Sequence, residues 1–373
     1  MDPRPTEPDL AWNEVVALLR PDMKGDRWTN VRCIAREYAG LTASLALAAL
    51  ALDAWSTGAI GTAGFALAAT PLIALVAAFQ HRLSGLAHDA SHGVLFPNRL
   101  ANELASDLLL LFPLAAMTQK YRHAHLGHHR HVNDPERDPD WIRLQSSGPL
   151  AFPMSKREFL RRFVWDALRP PTLLRYLFGR ARAANFDTAG SASPAGPRPE
   201  VYRGRVARCL RGAYWISMFS VIHLSNNWAL FALFWVVPLL TFYPFWMQLR
   251  EIAHHANALD AGDFTNSRVF DVHPLTRFAI FPYGQDFHLT HHLFDRIPHH
   301  RIARAHTTLL RYPPYRESVV VCRGYFARRS GTTGPSLLDL VSTPPSPRSA
   351  YAGPHRAAAS APRSSETRAD VAS

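Results

Sequence analysis

The distribution of apolar residues along the chain is blockwise rather than periodic. From Leu41 to Gln80 there is no Lys or Arg and a single charge, Asp53. Forty such residues suffice for two membrane spans of roughly 17–20 residues each, and the pattern predicts them at about 41–57 and 62–80. Gly58, Gly61 and Gly64 fall at the connection and lack the spacing of a dinucleotide-binding loop, so they read as turn or helix-packing residues. A second apolar block runs from Gly212 to Leu249, interrupted by His223, Ser225, Asn226 and Asn227, and predicts spans at about 212–224 and 228–247. Between the two blocks, Leu104 to Met117 is apolar but only fourteen residues long and carries Asp107 and Pro113. That is short for a crossing, and a re-entrant or interfacial helix is expected there. Asp107 needs a partner if it is buried.

Charge orients these elements. Neither hairpin apex carries Lys or Arg, whereas the flanking segments are rich in both, so the positive-inside rule places those segments, and both termini, in the cytoplasm. Residues 154–212 hold thirteen Lys and Arg against four Asp and Glu, and Phe159 to Trp165 (FLRRFVW) mixes aromatic and basic residues as surface-lying helices do. The net charge of +12 reads as attraction to anionic lipid headgroups; no nucleic-acid recognition motif accompanies it, and no nucleic-acid partner is expected. The predicted fold is therefore an all-α integral membrane protein. It has two transmembrane helical hairpins, about four spans, with interfacial helices and a cytoplasmic histidine-rich helical cap. Residues 1–40 form a cytoplasmic N-terminal segment without a cleavable signal sequence, 41–310 the membrane domain with a cytoplasmic region at 118–211, and 311–373 a C-terminal segment. Composition predicts a linker near Asp187 to Pro199 and disorder from about residue 331. Cys33, Cys209 and Cys322 form no CxxC pair and read as reduced, structural thiols.

The candidate chemistry lies in the histidines. Eighteen of nineteen fall between His81 and His306, and eight form three boxes: His88 and His92; His125, His128 and His129; His288, His291 and His292. Residues at i, i+3 and i+4 share one helix face, so each box can turn its rings to one side. Neutral imidazole suits several transition metals, and eight ligands exceed the needs of one ion, so two metals are the natural count. An even number of crossings between boxes brings all three to the same face. The other histidines have simpler readings. His81 and His223 read as interfacial or solvated, His123 and His131 as flanking or surface residues, and His273, His299, His300 and His306 as mostly exposed. Asp89, Asp134, Asp138, Glu251 and Asp286 are near enough in sequence to accept a proton from a ligating ring, though each could equally be a helix cap or ion-pair partner. A metal transporter is the remote alternative, but it would place its ligands along the spans rather than at or beyond their ends. A zinc-loaded structural protein would use closed four-ligand sets.

The runs HDASHG, YRHAHLGHHRHVNDPERDPD and QDFHLTHHLFDRIPHH together resemble the three-histidine-box membrane fatty acid desaturases and the related lipid and carotenoid hydroxylases and ketolases, over approximately residues 40–310. The resemblance implies two non-haem iron ions (Fe2+) at the cytoplasmic face and an O2-dependent oxidoreductase that attacks an unactivated C–H bond. It implies desaturation of a fatty acyl chain of a lipid, with hydroxylation or ketolation of a lipid or carotenoid as the alternative at the same site. Relatives of this kind often read R-x-x-A-E-H before the third box. Here the run is Arg250 to His255 (REIAHH), which maps a ninth ligand onto His255 and puts His254 where glutamate is usual. His254 then either supports a neighbouring ligand or competes as one. The chain carries no dinucleotide fingerprint, cluster cysteines or fused haem motif, so a separate electron donor, such as a ferredoxin with its reductase, is implied.

Overall fold

A computed structural model describes residues 8–145, 150–184, 201–202, 204–258 and 262–344. The predicted linker near Asp187 to Pro199 lies outside the described residues. Among the described residues the regular structure is helical apart from one two-stranded parallel ladder, Val269–Phe270 with Val321–Cys322.

The first apolar block folds as helices Thr29–Ser56 and Thr62–Ser91. Gly58, at φ +77°, takes the left-handed turn between them, a conformation that costs glycine nothing. At 1.5 Å per residue the two helices are about 42 and 45 Å long, well beyond the roughly 30 Å hydrocarbon core. The excess lies at the end away from the turn, and it carries Glu37, Arg82 and His88. The second block folds as helix Gly204–Leu224, a turn through Asn226 at φ +54°, and a run from Trp228 to His255. By length and composition, Thr29–Ser56, Thr62–Ser91 and Trp228–His255 are suited to cross a membrane. Helix Gly204–Leu224 completes the second hairpin with Arg205, Arg208 and Arg211 in its first turns, so its uncharged part begins at Gly212.

The short apolar segment does not run straight. Arg99–Ala105 continues through a π turn at Ser106–Leu111 and a 3-10 turn at Phe112–Leu114, then bends by 90° into helix Thr118–Arg130. Asp107 explains the bend. Its carboxylate is buried and accepts from the Thr118 backbone N–H at 2.8 Å, the Thr118 hydroxyl at 2.7 Å and the Tyr202 hydroxyl, so it caps the next helix from inside the bend.

Three expectations change. His299, read as mostly exposed, has a side chain only 8% exposed and bonded to Asp89. The chain beyond residue 331 is ordered as far as 344. Helix Leu337–Ser342 starts from a capping box between Ser336 and Asp339 and buries Leu337, Leu338 and Val341 in a core with Phe159, Phe163 and Ile252. Asn257 donates to the Leu340 carbonyl at 2.7 Å, and Lys156 pairs with Asp339. Local capping and three buried aliphatic residues outweigh a disorder-prone composition. His81, in turn, is neither interfacial nor solvated but fully buried, since helices Phe242–His255 and Pro274–Ala279 cover helix Thr62–Ser91 there. Its Nδ1 lies 2.7 Å from the Ala279 carbonyl and its Nε2 3.2 Å from Arg250 Nη1.

A buried ion pair joins the two long helices just below the histidines. Arg82 meets Glu37 with Nε at 2.6 Å and Nη2 at 2.8 Å, Tyr283 donates to the same carboxylate, and Arg82 Nη1 reaches the Phe278 carbonyl at 3.3 Å. Removing one partner leaves an uncompensated buried charge, whereas replacing both does not. Arg82→Met alone is therefore expected to destabilise the fold by about 3–5 kcal/mol. The double variant Glu37→Met/Arg82→Met should recover part of that loss, and thermal unfolding of detergent-solubilised protein would measure both. A double variant no better than the single would contradict an ion-pair role.

Candidate metal centre

Four helix ends meet at one place. His88 lies in the last turn of Thr62–Ser91 and His92 caps it; His125, His128 and His129 lie in the last turns of Thr118–Arg130. His255 ends helix Phe242–His255, and His288, His291 and His292 line the short helix His288–Leu293. At the first three ends the partial negative charge of the carbonyl end accompanies the rings, which favours a cation; in the short fourth helix only His291 and His292 lie in the last turn. The last of these helices depends on Gly284 at φ +71°, where a Cβ would come 2.6 Å from Ile302 Cγ2 and 3.1 Å from the His299 carbonyl oxygen. Glycine is required both for the backbone angle and for the space.

All nine histidines singled out from the sequence come together, and they divide into two sets. His88, His92, His125, His129 and His291 form one, and His128, His255, His288 and His292 the other, with the ligand atoms of each set within 4.8 Å of one another. The sets lie side by side, with His129 stacked on His292 at 4.3 Å. Every box histidine is shielded from solvent.

Nitrogen positions test whether this donor set suits a metal. In the first set, Nε2 of His125 lies 2.8 Å from Nε2 of His92 and 3.1 Å from that of His129, which is 2.9 Å from Nε2 of His291. In the second, Nε2 of His288 lies 2.9 Å from that of His255 and 3.0 Å from that of His292, with His128 3.3 Å from His292. At two rings the outward nitrogen faces an acceptor: His128 Nδ1 lies 2.9 Å from Asp138, and His255 Nδ1 lies 3.1 Å from the Asn266 carbonyl. At His255 this holds the one N–H of a neutral imidazole on Nδ1 and leaves Nε2 as a lone pair, whereas at His128 burial opposes the charge but Asp138 and Asp140 prevail and raise the ring to about 9. So many inward nitrogens are repulsive without a cation to share, and theirs is the arrangement metal-binding histidines adopt. His88 Nε2 is buried with no hydrogen-bond partner. Burial first, and the neighbouring rings second, hold His288 and His291 well below the ordinary histidine pKa, so both stay in the neutral, ligating form at pH 7.

The carboxylates near the boxes divide between the two roles open to them. Of the five carboxylates near the boxes in sequence, Asp138 alone bonds a box histidine among the described residues, and it is fixed by the Asn133 and Asp140 backbone N–H groups at 3.0 and 2.9 Å. Asp89 holds His299 at 2.8 Å, Asp134 pairs with Arg137, Glu251 with Arg143 and Asp286 with Arg277. Asp295, which the sequence reading passed over, lies 3.3 Å from His92 Nδ1. Its only signal in the sequence is its place three residues after the third box. His254 falls outside both sets: its Nε2 faces the Gln285 carbonyl at 3.0 Å and its ring stacks on His288 at 3.5 Å between centroids. It therefore supports a box ring.

The histidines open onto a cavity of about 420 Å³, lined by His88, His125, His128, His255 and His288 on one side and by apolar residues including Leu114, Met117, Leu239 and Met247 on others. That volume is within the usual range for small-molecule sites.

Comparison with known proteins agrees with this geometry. The chain is similar to the dihydrorhizobitoxine desaturase of Bradyrhizobium elkanii, 25% identical over 321 residues that cover 85% of this chain and 84% of that protein. Residues 62–323, which hold all the box histidines and the residues that support them, match the fatty acid desaturase family model. A match over that much of the chain, centred on the two histidine sets, establishes that this protein belongs to the fatty acid desaturase family.

Proposed function

We propose that the protein is a membrane-bound di-iron oxidoreductase that desaturates a fatty acyl chain of a lipid. It uses O2, two protons from solvent and two electrons from a separate ferredoxin-type donor and its reductase, so that one CH2–CH2 unit becomes CH=CH and O2 leaves as two waters. The observation that carries this reading is the division of nine inward-facing imidazoles into two adjacent sets at the inner end of a partly apolar cavity. On this reading His88, His92, His125, His129 and His291 hold one iron and His128, His255, His288 and His292 the other. Bound iron supplies what no side chain can, the reduction of oxygen and an oxidant strong enough for an unactivated C–H bond.

The protein's part is placement. Asp138 and the Asn266 carbonyl fix ring orientation and tautomer at His128 and His255. The cavity wall brings an acyl segment beside the histidines and keeps bulk water away, and small differences in that placement decide between abstraction of a second hydrogen and hydroxyl transfer. The basic segments flanking the hairpins favour a cytoplasmic position for the histidine sets and both termini, where soluble electron donors reside.

Elemental analysis of anaerobically purified protein, with analysis of host lipids for new double bonds or hydroxyls, tests the proposal. About two irons per chain and new double bonds are expected; stoichiometric zinc instead would overturn it. His291→Ala and His255→Ala should each lower iron to about one per chain or less and abolish turnover, because each removes a ligand from a different set. His254→Ala and His223→Ala should retain the metal, since His254 touches His288 only by stacking and His223 is exposed at the hairpin apex. Asp138→Asn keeps the size of the side chain but weakens its hold on His128. Iron affinity is expected to fall about 10–100-fold, measured by competition with a chelator. Unchanged affinity would remove Asp138 from the supporting role.

A further inference from the structure

One group of nucleophilic and titratable side chains stands apart from the two histidine sets. Cys33 Sγ lies 3.8 Å from His299 Nε2, within hydrogen-bond range for sulfur, and His299 Nδ1 lies 2.8 Å from Asp89 Oδ2. The same carboxylate oxygen accepts the His299 backbone N–H at 3.0 Å, so ring and backbone are held together. Tyr283 packs edge-on against the ring, with 4.8 Å between centroids. The three residues come from helix Thr29–Ser56, helix Thr62–Ser91 and the 3-10 turn His299–Arg301, and only the fold brings them together. A thiol, an imidazole and a carboxylate in this order are the arrangement by which an oriented imidazole exchanges a proton with a nucleophile.

Burial opposes a charge on His299, but Asp89 prevails and raises the ring to about 9, with Cys33 acting in the same sense. At pH 7 the ring is then an imidazolium, with one N–H facing Asp89 and the other facing the sulfur. A sulfur beside a cationic imidazole is the setting in which thiols react as nucleophiles. The other two cysteines are placed differently. Cys209 is exposed on helix Gly204–Leu224, and Cys322 is buried in strand Val321–Cys322, where burial pushes its thiol up to about 12. Cys33 is half-buried, so exposure alone would rank it behind Cys209. It stands one turn before Glu37, at the end of its helix that lies clear of the hydrocarbon core.

We propose that Cys33 is a peroxide-reactive thiol, with His299 as its proton-transfer partner and Asp89 as the group that orients His299. A hydroperoxide is the class of oxidant that gains most here, because its leaving oxygen needs a proton as the O–O bond breaks and His299 Nε2 holds one beside the sulfur. The sulfur attacks one peroxide oxygen, so that an S–O bond forms and the O–O bond breaks. The sulfur is oxidised by two electrons to a sulfenic acid, and the other oxygen, reduced, leaves as water with the proton from His299. The thiol proton replaces the one His299 gives up, and the net change is Cys–SH plus H2O2 to Cys–SOH plus H2O. A small external thiol reverses the modification. The proposal does not depend on the identity of the metal or of the lipid substrate.

The test uses the full chain as purified, in phosphatidylcholine nanodiscs, with mannitol present to remove hydroxyl radicals. Limiting hydrogen peroxide is added with dimedone, which traps sulfenic acids, and adducts at the three cysteines are followed in time by peptide mass spectrometry. Cys33 is expected to be labelled at least about tenfold faster than Cys209, with Cys322 unlabelled. His299→Gln removes the proton-transfer group and should slow labelling of Cys33 about tenfold while leaving Cys209 unchanged. Dithiothreitol added after peroxide and before dimedone should abolish labelling at Cys33. Labelling of Cys209 as fast as that of Cys33 in the unaltered chain would overturn the proposal. So would a folded His299→Gln protein in which Cys33 reacts as fast as before. Cys322 reports the folding of the variant: if it becomes labelled, the variant has opened, and the ratio of Cys33 to Cys209 in the unaltered chain decides.

Discussion

The structure depends on imidazole lone pairs being brought face to face. Nε2 atoms 2.8–3.3 Å apart within each set leave too few protons to bridge every contact. A cation turns this repulsion into attraction, and the carbonyl ends of helices Thr62–Ser91, Thr118–Arg130 and Phe242–His255, directed at the same place, add to the effect. Metal binding at these sets would be linked to folding, because they assemble from residues as far apart in sequence as His88 and His292. Much of the remaining architecture serves to hold these helix ends together against the repulsion.

The membrane helices solve that problem by length. Helices of 28 and 30 residues outrun the hydrocarbon core, so the turns that carry Glu37, Arg82 and His88 stand clear of it. Immediately below the histidines lies a layer of buried charge, in which Arg82 is shared by Glu37 and the Phe278 carbonyl, and Arg250 contacts His81 and Gln285. Each contact joins elements distant in sequence, and each leaves a buried charge exposed to low dielectric if its register slips. The layer thus penalises sliding of one helix past another, which is the motion that would separate the two histidine sets. Asp107 acts likewise on the third side, tying Thr118 and Tyr202 to the bend.

What was legible in the sequence was what is local. The boxes could be read because ligands at i, i+3 and i+4 declare a shared helix face, and the hairpins because hydropathy and the absence of Lys and Arg extend over whole spans. His255 was different: only the resemblance of Arg250 to His255 marked it, because a single histidine ending a helix has no periodic partner. The burial of His81 was not legible, since it comes from helices Phe242–His255 and Pro274–Ala279 closing over it from some two hundred residues away. Asp295 was missed for a related reason. It reaches His92 of the first box, which precedes it by 203 residues. The helix at Leu337–Ser342 had a local signal, the Ser336–Asp339 capping box, but a Ser- and Pro-rich composition masked it.

Membership of the family fixes the chemistry of the metal site more tightly than it fixes the substrate. The residues that hold and orient the imidazoles lie on helix ends and their immediate partners, whereas the cavity wall is built from side chains such as Leu114, Met117, Leu239 and Met247, which can change without altering a box histidine. A relative 25% identical can therefore share the boxes and act on a different molecule. On the proposed reading, selectivity is a matter of distance. The cavity wall sets how far an acyl segment can reach past the histidines, and so which carbons are presented to them.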